Sequence, residues 1–358
     1  MTAPAVLVLV LVAVLVLSGA LPALLRPLLL RGGVIDVPNA RSSHARPVVR
    51  GMGLSAWAAV VVGMVLALVT GTVRVDRGVT VIVLLIASAA AALGWVEDFR
   101  GVSVRFRATA QLLIGAVGTT AIALAFGQTG WWIPAGALAI AVYINVANFM
   151  DGINGISGLH GVTVGLFYAL AGQLSGQWWL TVGALVLAVA FAAFLPWNLA
   201  GGRGGGAVFL GDVGSYLLGG MVAAMAAAGF LAGVYVEYLL SPLVIYLADT
   251  AFTWVRRVRS GARWYAPHRE HVYQRLTDVG LSHLGSSVVV TACTIAVGLL
   301  GVVSAQGTLG TSIAATVAGI AVVAGYLASP ALIGRLRRSR RDPGTGVRRP
   351  KATGGGRA

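Results

Sequence analysis

Asn145-Val146-Ala147-Asn148-Phe149-Met150-Asp151-Gly152-Ile153-Asn154-Gly155 follows directly on an apolar run that begins near Trp131. A carboxylate and three amides at the end of such a run decide how the chain is read. Carboxylates at membrane depth are expensive and usually mark function. Asn148, Asp151 and Asn154 are spaced i, i+3 and i+6, so a continued helical turn would bring them near one face. Gly152 and Gly155 permit tight turns there. Amides beside a carboxylate suit hydrogen bonding of a base or sugar, or metal ligation.

The surrounding composition fixes the solvent. The chain has 358 residues, 58% hydrophobic and 10% charged, with a mean hydropathy of +0.87. A soluble domain carries about 25% charged residues, so lipid is the expected environment. Eleven apolar runs are long enough to be spans, at about 4–25, 54–71, 79–96, 108–127, 131–147, 158–173, 178–195, 207–229, 232–250, 286–304 and 310–333. The expected fold is all-α: a polytopic integral membrane protein with about 10–11 transmembrane helices, residues 1–334 forming one catalytic domain. The run from Ala3 to Leu30 has no basic segment before it and is too long for a signal peptide, so it is read as a retained first helix. Residues 335–358, rich in Arg, Gly and Pro, read as a basic, unstructured tail able to touch anionic lipid heads. Cys293 is the one cysteine, which excludes a disulfide framework.

Charge sets the orientation. With the N-terminus outside, only Arg74 and Arg77 of the 26 basic residues fall on the outer side, leaving 24 inside. Positive charge is retained in the cytoplasm, so this arrangement is expected, with the protein multi-pass in the plasma (inner) membrane. The net charge of +15 is therefore a topology signal, not a nucleic-acid footprint. Nine of the eleven acids and all five histidines then share the cytoplasmic face; Asp76 and Glu237 do not.

Four other loops on that face carry chemistry. The first holds His44, Arg46 and Arg50 among Pro and Gly, and reads either as a phosphate grip or as a positive-inside anchor. The second holds the pair Glu97-Asp98, then Arg105 and Arg107. Such a pair binds a divalent cation, accepts a proton, or caps its arginine neighbours. The fourth reads Phe209-Leu210-Gly211-Asp212-Val213-Gly214-Ser215, where a lone carboxylate enters an apolar span beside small residues and needs a cation. The fifth centres on His268-Arg269-Glu270-His271-Val272-Tyr273-Gln274-Arg275-Leu276. Its histidines stand at i and i+3, unlike the metalloprotease spacing, so anion binding is expected over zinc. Asp249, at the end of the ninth run, is expected to pair with Arg256 or Arg257 or to support the site. The joint mixture of carboxylates, amides, arginines and histidines suits Mg²⁺, a diphosphate and a phosphate nucleophile.

These loops resemble the polyprenyl-phosphate N-acetylhexosamine-1-phosphate transferases, the family that includes phospho-N-acetylmuramoyl-pentapeptide transferase and the undecaprenyl-phosphate N-acetylglucosamine-1-phosphate transferases. The resemblance covers roughly residues 30 to 285 and rests on Asn148 to Gly155 and Phe209 to Ser215. His268-Arg269-Glu270-His271 looks closer to the O-antigen and teichoic-acid branch. The resemblance implies transfer of a sugar-1-phosphate, usually HexNAc-1-phosphate, from a UDP-sugar to undecaprenyl or decaprenyl phosphate. UMP leaves, and a lipid-linked cell-envelope glycan begins.

By the same resemblance Asp212 would be the main Mg²⁺ ligand, with Asp151 the second metal candidate and Mn²⁺ a substitute ion. Asp98, Glu97, Asp151 and Asp212 form the implied catalytic set. Asp98 would serve the lipid phosphate as base or by electrostatics. Asn148, Asp151 and Asn154 would surround the nucleotide, and His268, His271 and Arg275 would hold phosphates or sugar. Arg105, Arg107 and His44 complete the substrate-binding set. The lipid bilayer is a partner, and a homodimer is admitted.

Three positions depart from the family. Its usual Asp-Asp pair is Glu97-Asp98 here, which moves the catalytic role to Asp98. Its second aspartate after Asp151 is Asn154, which carries no charge, and a family lysine is Arg107, a phosphate grip but a poor proton shuttle. The rival class is a polytopic transporter with a cytoplasmic-face anion site, whose acids would sit near the midplane, often with internal repeats. A non-catalytic scaffold, the third class, would tolerate alanine at Asp98, Asp151 and Asp212.

Overall fold

The computed structural model describes residues 3–38, 46–200, 208–262 and 268–341. Its architecture is all-α. The helices are α1 (Ala3–Arg31), α2 (Gly53–Val69), α3 (Arg77–Arg100), α4 (Val104–Ala125), α5 (Trp132–Met150), α6 (Ile156–Leu174) and α7 (Trp178–Leu199). They continue as α8 (Gly211–Leu231), α9 (Val236–Leu240), α10 (Val244–Arg259), α11 (Val272–Asp278), α12 (His283–Gln306) and α13 (Leu309–Arg341). Each expected span falls on a helical segment. Among the described residues, nine helical segments are long and apolar enough to cross a membrane. At 17 residues, α2 is shorter, and α6 falls outside that set of nine.

Boundaries moved where backbone bonding decides them. The eighth run begins as helix only at Gly211, because Val208 and Phe209 are extended and bonded to Val49. The ninth is broken: α9 gives way to a 3₁₀ turn at Ser241–Leu243, where proline intervenes, before α10 continues to Arg259. Helix α13 runs seven residues into the stretch expected to be unstructured, to Arg341. The remainder of the tail, 342–358, lies outside the described residues.

Small residues set how closely the helices approach, as is usual inside membranes. The helix α3 packs antiparallel on α8 because Gly94 has no Cβ; any side-chain atom there would overlap the backbone of Asp212. Gly219 lies against the backbone of Ile144 on α5, and Gly53 of α2 against Gly214. The helix α8 is thereby the buried axis, with Tyr216, Leu217, Leu218 and Met221 each 1% exposed or less.

The two ends of the bundle are chemically unlike. One end gathers Arg74, Asp76, Arg77 and Glu237, tied together where Trp178 Nε1 donates to Thr72 O at 2.8 Å and Gln177 reaches Ala232 O at 3.4 Å. The other receives the C-termini of α3, α5 and α10 and the N-terminus of α8. There a two-residue strand, Ile35–Asp36, pairs antiparallel with Val48–Val49. Backbone bonds from Met52 N to Phe209 O (3.1 Å) and Gly53 N to Leu210 O (2.7 Å) hold that loop against the entry to α8.

Candidate functional site

At this second end, three acidic side chains from separate parts of the chain converge. Asp98, one turn from the end of α3, is 3% exposed. Its Oδ2 accepts from the backbone N–H of Val213 at 3.0 Å. The guanidinium of Arg50 stands 3.9 Å from its Oδ1, and Arg50 Nη2 donates to the Asp98 carbonyl. This fit requires glycine at 211: its φ is +74°, and a Cβ would collide with Gly51 and with the Asp98 carboxylate. Asp212, in the first turn of α8, accepts from Asn148 Nδ2 at 2.7 Å. The same amide reaches Ser215 Oγ at 3.2 Å.

Asp151 closes the group. It caps the C-terminus of α5 in the turn before α6. Burial raises its carboxyl, the charges of Asp212 and Asp98 add to that, and the Ser157 hydroxyl opposes; the result is about 8. The three carboxylates therefore share one electrostatic environment.

The i, i+3, i+6 face is corrected by this geometry. The helix ends at Met150, so only Asn148 projects from it toward Asp212. Gly155, at φ +90°, starts α6 and turns the chain away. Asn154 faces α12 instead: its backbone N–H approaches His283 Nδ1 at 3.5 Å, and its carbonyl accepts from Ser287 Oγ at 3.1 Å.

Glu97 does not join the carboxylate group as an open ligand. Its Oε1 pairs with Arg107 at 2.8 Å, and its Oε2 accepts from Val102 N at 2.7 Å. It therefore ties α3 to α4 and neutralises the arginine expected to grip phosphate. Arg105 is exposed on the first turn of α4, and Arg275 is half-buried in α11. His44 lies outside the described residues.

The fifth loop docks beside Asp151. Tyr273 Oη donates to Phe149 O at 3.0 Å, and a Cβ on Gly152 would strike that hydroxyl. His268 stacks on His271 with centroids 5.0 Å apart. Burial pushes the His268 ring down to about 4, with the neighbouring His271 and Arg257 charges adding, so it is neutral at physiological pH. The expected pairing of Asp249 with Arg256 or Arg257 is corrected: both arginines bond Glu270, Arg256 at 2.8 Å. Asp249 instead takes His271 Nδ1 at 2.9 Å. Arg269 is held by Asp278 at 2.7 Å and Thr277 at 3.0 Å.

Sequence reading missed residues whose partners are remote. Asn198 on α7 accepts from Gly155 N at 2.5 Å and donates to Val208 O at 2.9 Å, joining two site loops. Gln111, which follows the second loop's arginines in sequence, accepts from Asn145 at 2.5 Å and fixes α4 on α5, a partner its spacing did not foretell. Arg50 was visible as one loop arginine among several, and nothing local singled it out. An amide within an apolar run was the available signal for Asn198 and Gln111.

Among the described residues, no three His, Cys, Asp or Glu side chains form a metal cage by themselves. Mg²⁺ is commonly held by one or two carboxylates, with substrate phosphates and water completing its shell. The expected ligand pair fits: among the described residues Asp212 has one side-chain amide donor on its carboxylate, and Asp151 lies within reach of its charge. Acceptor sites that these carboxylates keep open among the described residues would suit a cation.

Comparison with known proteins places this site in context. Glycosyl transferase family 4 matches residues 79–230, which include Asp98, Asn148, Asp151 and Asp212. The chain is 26% identical over 273 residues to the probable undecaprenyl-phosphate N-acetylglucosaminyl 1-phosphate transferase of Bacillus subtilis, covering 72% of this chain and 74% of that protein. It is 28% identical over 306 residues to the decaprenyl-phosphate N-acetylglucosaminephosphotransferase of Mycolicibacterium smegmatis, with 72% of each covered. With the undecaprenyl-phosphate alpha-N-acetylglucosaminyl 1-phosphate transferase of Yersinia pestis it shares 25% over 294 residues, 78% of this chain and 79% of the relative.

Proposed function

From the match of residues 79–230 to glycosyl transferase family 4 and the likeness to polyprenyl-phosphate N-acetylglucosamine-1-phosphate transferases, we propose that the chain transfers a HexNAc-1-phosphate from a UDP-sugar to a polyprenyl phosphate, releasing UMP. The observation that carries the proposal is the meeting of Asp98, Asp151 and Asp212 at one end of the bundle, with Asn148 donating to Asp212. The relatives' activities point to the acceptor class, undecaprenyl or decaprenyl phosphate, and to GlcNAc as the first sugar to try.

Phosphoryl transfer asks a protein for alignment and charge neutralisation rather than covalent chemistry. Asp212 and Asp151 would hold Mg²⁺, which when bound neutralises the donor diphosphate and stabilises UMP as it departs. Asn148 fixes the Asp212 carboxylate at 2.7 Å, so the ligand is oriented before substrate arrives. Asp98, held by Val213 N and near Arg50, faces the acceptor phosphate as base or as an orienting charge. The fifth loop, through His268, His271 and Arg275, covers the donor's phosphates or sugar.

Arginine distribution supports a cytoplasmic placement of this end of the bundle, in a plasma (inner) membrane protein. The acceptor's charged head then stays at the headgroup plane while its tail remains in lipid.

The test uses purified protein, radiolabelled UDP-GlcNAc, polyprenyl phosphate and Mg²⁺. Lipid-linked GlcNAc phosphate supports the proposal, and chelator stops its formation until Mg²⁺ or Mn²⁺ returns. Uptake of label into vesicles without a lipid product would identify a transporter instead.

A further inference from the structure

Beyond the stretch matched to the family, one buried cluster links three remote elements. Asp249, on α10, is fully buried. Its Oδ1 accepts from His271 Nδ1 at 2.9 Å, Val272 N at 3.0 Å and Thr253 Oγ1 at 3.3 Å. Its Oδ2 accepts from Tyr326 Oη at 2.6 Å and Tyr273 N at 3.3 Å. A carboxylate surrounded by donors accepts only, so the proton on the facing imidazole nitrogen is His271 Nδ1–H. The second nitrogen, Nε2, is left as the ring's other polar atom. Phe149, two residues before Asp151, has its ring 6.4 Å from that imidazole.

Tyr326 is the unexpected member. It lies on α13, whose apolar span is only 11% buried, yet Tyr326 itself is 2% exposed. Phenylalanine would fill the same space without a hydroxyl to desolvate. A buried tyrosine hydroxyl is stable when it has a partner, and here the partner is the carboxylate that orients His271. Thr253 and the two backbone donors hold Asp249 from α10 and α11, and Tyr326 supplies the hold from the last helix.

We propose that Tyr326, acting through Asp249, is a positioning residue for His271, so that α13 completes the donor side of the site. This rests on the reading that His271 holds the donor's phosphates or sugar. The conservative variant Tyr326→Phe then lowers kcat/KM for UDP-GlcNAc about tenfold, while the KM for polyprenyl phosphate stays within about twofold. In a His271→Asn background the same change costs less than about twofold, because the pathway through His271 is already gone. Retention of the full loss in that background, an equal loss on the acceptor side, or no effect of Tyr326→Phe would overturn the proposal.

Solution ¹⁵N spectra of histidine-labelled protein give a readout that needs no turnover. Wild-type His271 is expected to carry its proton on Nδ1, with that signal shifted or broadened in Tyr326→Phe. A proton on Nε2 alone, or identical spectra in the two proteins, would contradict the positioning role. Absence of transfer by the wild type would remove the functional reading, and the spectra would still decide how His271 is held.

Discussion

Asp212 and Asp249 are both acidic residues at the same end of one helical bundle, and the chain treats them in opposite ways. Asp249 receives five donors from its own protein: a ring nitrogen, two backbone N–H groups and two hydroxyls. Among the described residues Asp212 receives one on its carboxylate, the amide of Asn148. Asp98 and Asp151 lie within reach of its charge. A saturated carboxylate holds structure together. A carboxylate left with open acceptor sites beside other acids is prepared for a ligand that the chain does not itself supply. The two helices thus carry a saturated carboxylate on α10 and a less saturated one on α8.

Four changes would break or sharpen that contrast. Asp212→Asn is expected to lower the transfer rate by about 10³-fold or more while the protein still folds, since it removes charge from the reacting side; kcat and thermal unfolding of purified protein check both halves. Gly94→Val acts on alignment. The new side chain pushes α3 off α8 at Asp212, and a displacement of order 1 Å at a reacting centre costs about 10²-fold in rate. Normal turnover in that variant would show that the close approach of Gly94 is dispensable.

Asp249→Asn should act on stability as well as on donor kcat/KM through His271. Breaking a buried, fully bonded charge costs about 3 kcal/mol, so its unfolding midpoint should fall well below that of Asp212→Asn. The reverse ranking would exchange the two roles. The smallest effect belongs to His268. Its ring is neutral in the folded protein down to about 4, whereas an unfolded histidine takes up a proton near pH 6.5. Between these values the unfolded chain binds more protons, so stability from this group rises with pH across that window and is lost as pH falls. His268→Gln should flatten that slope in unfolding measured between pH 4 and 7.

Much of this division could be read in the sequence, for reasons that differ by residue. Asp98, Asp151 and Asp212 stand out because a carboxylate at the end of an apolar run has few innocent explanations. Helix positions followed from apolar length, and charge sorting between the two ends followed from arginine placement. Asp249 was visible as an acid, but four of its five partners are 22, 23, 24 and 77 residues away, and no local spacing encodes that. Its expected arginine partners were the nearest in sequence, and Glu270 took them instead. The helical reading of Asn148, Asp151 and Asn154 failed because α5 ends at Met150, where Gly152 and Gly155 allow the chain to turn. The close packing at Gly94 and Gly53 was likewise hidden, since a glycine's neighbours across a helix interface leave no mark beside it.

The central claim is that Asp98, Asp151 and Asp212 make one cation-dependent site. Electron paramagnetic resonance of purified protein titrated with Mn²⁺ tests it directly. The account predicts one protein-bound Mn²⁺ per chain in the wild type and in Tyr326→Phe, weakened or lost in Asp212→Asn and in Asp151→Asn. Equal Mn²⁺ binding by the wild type and both aspartate variants would contradict it.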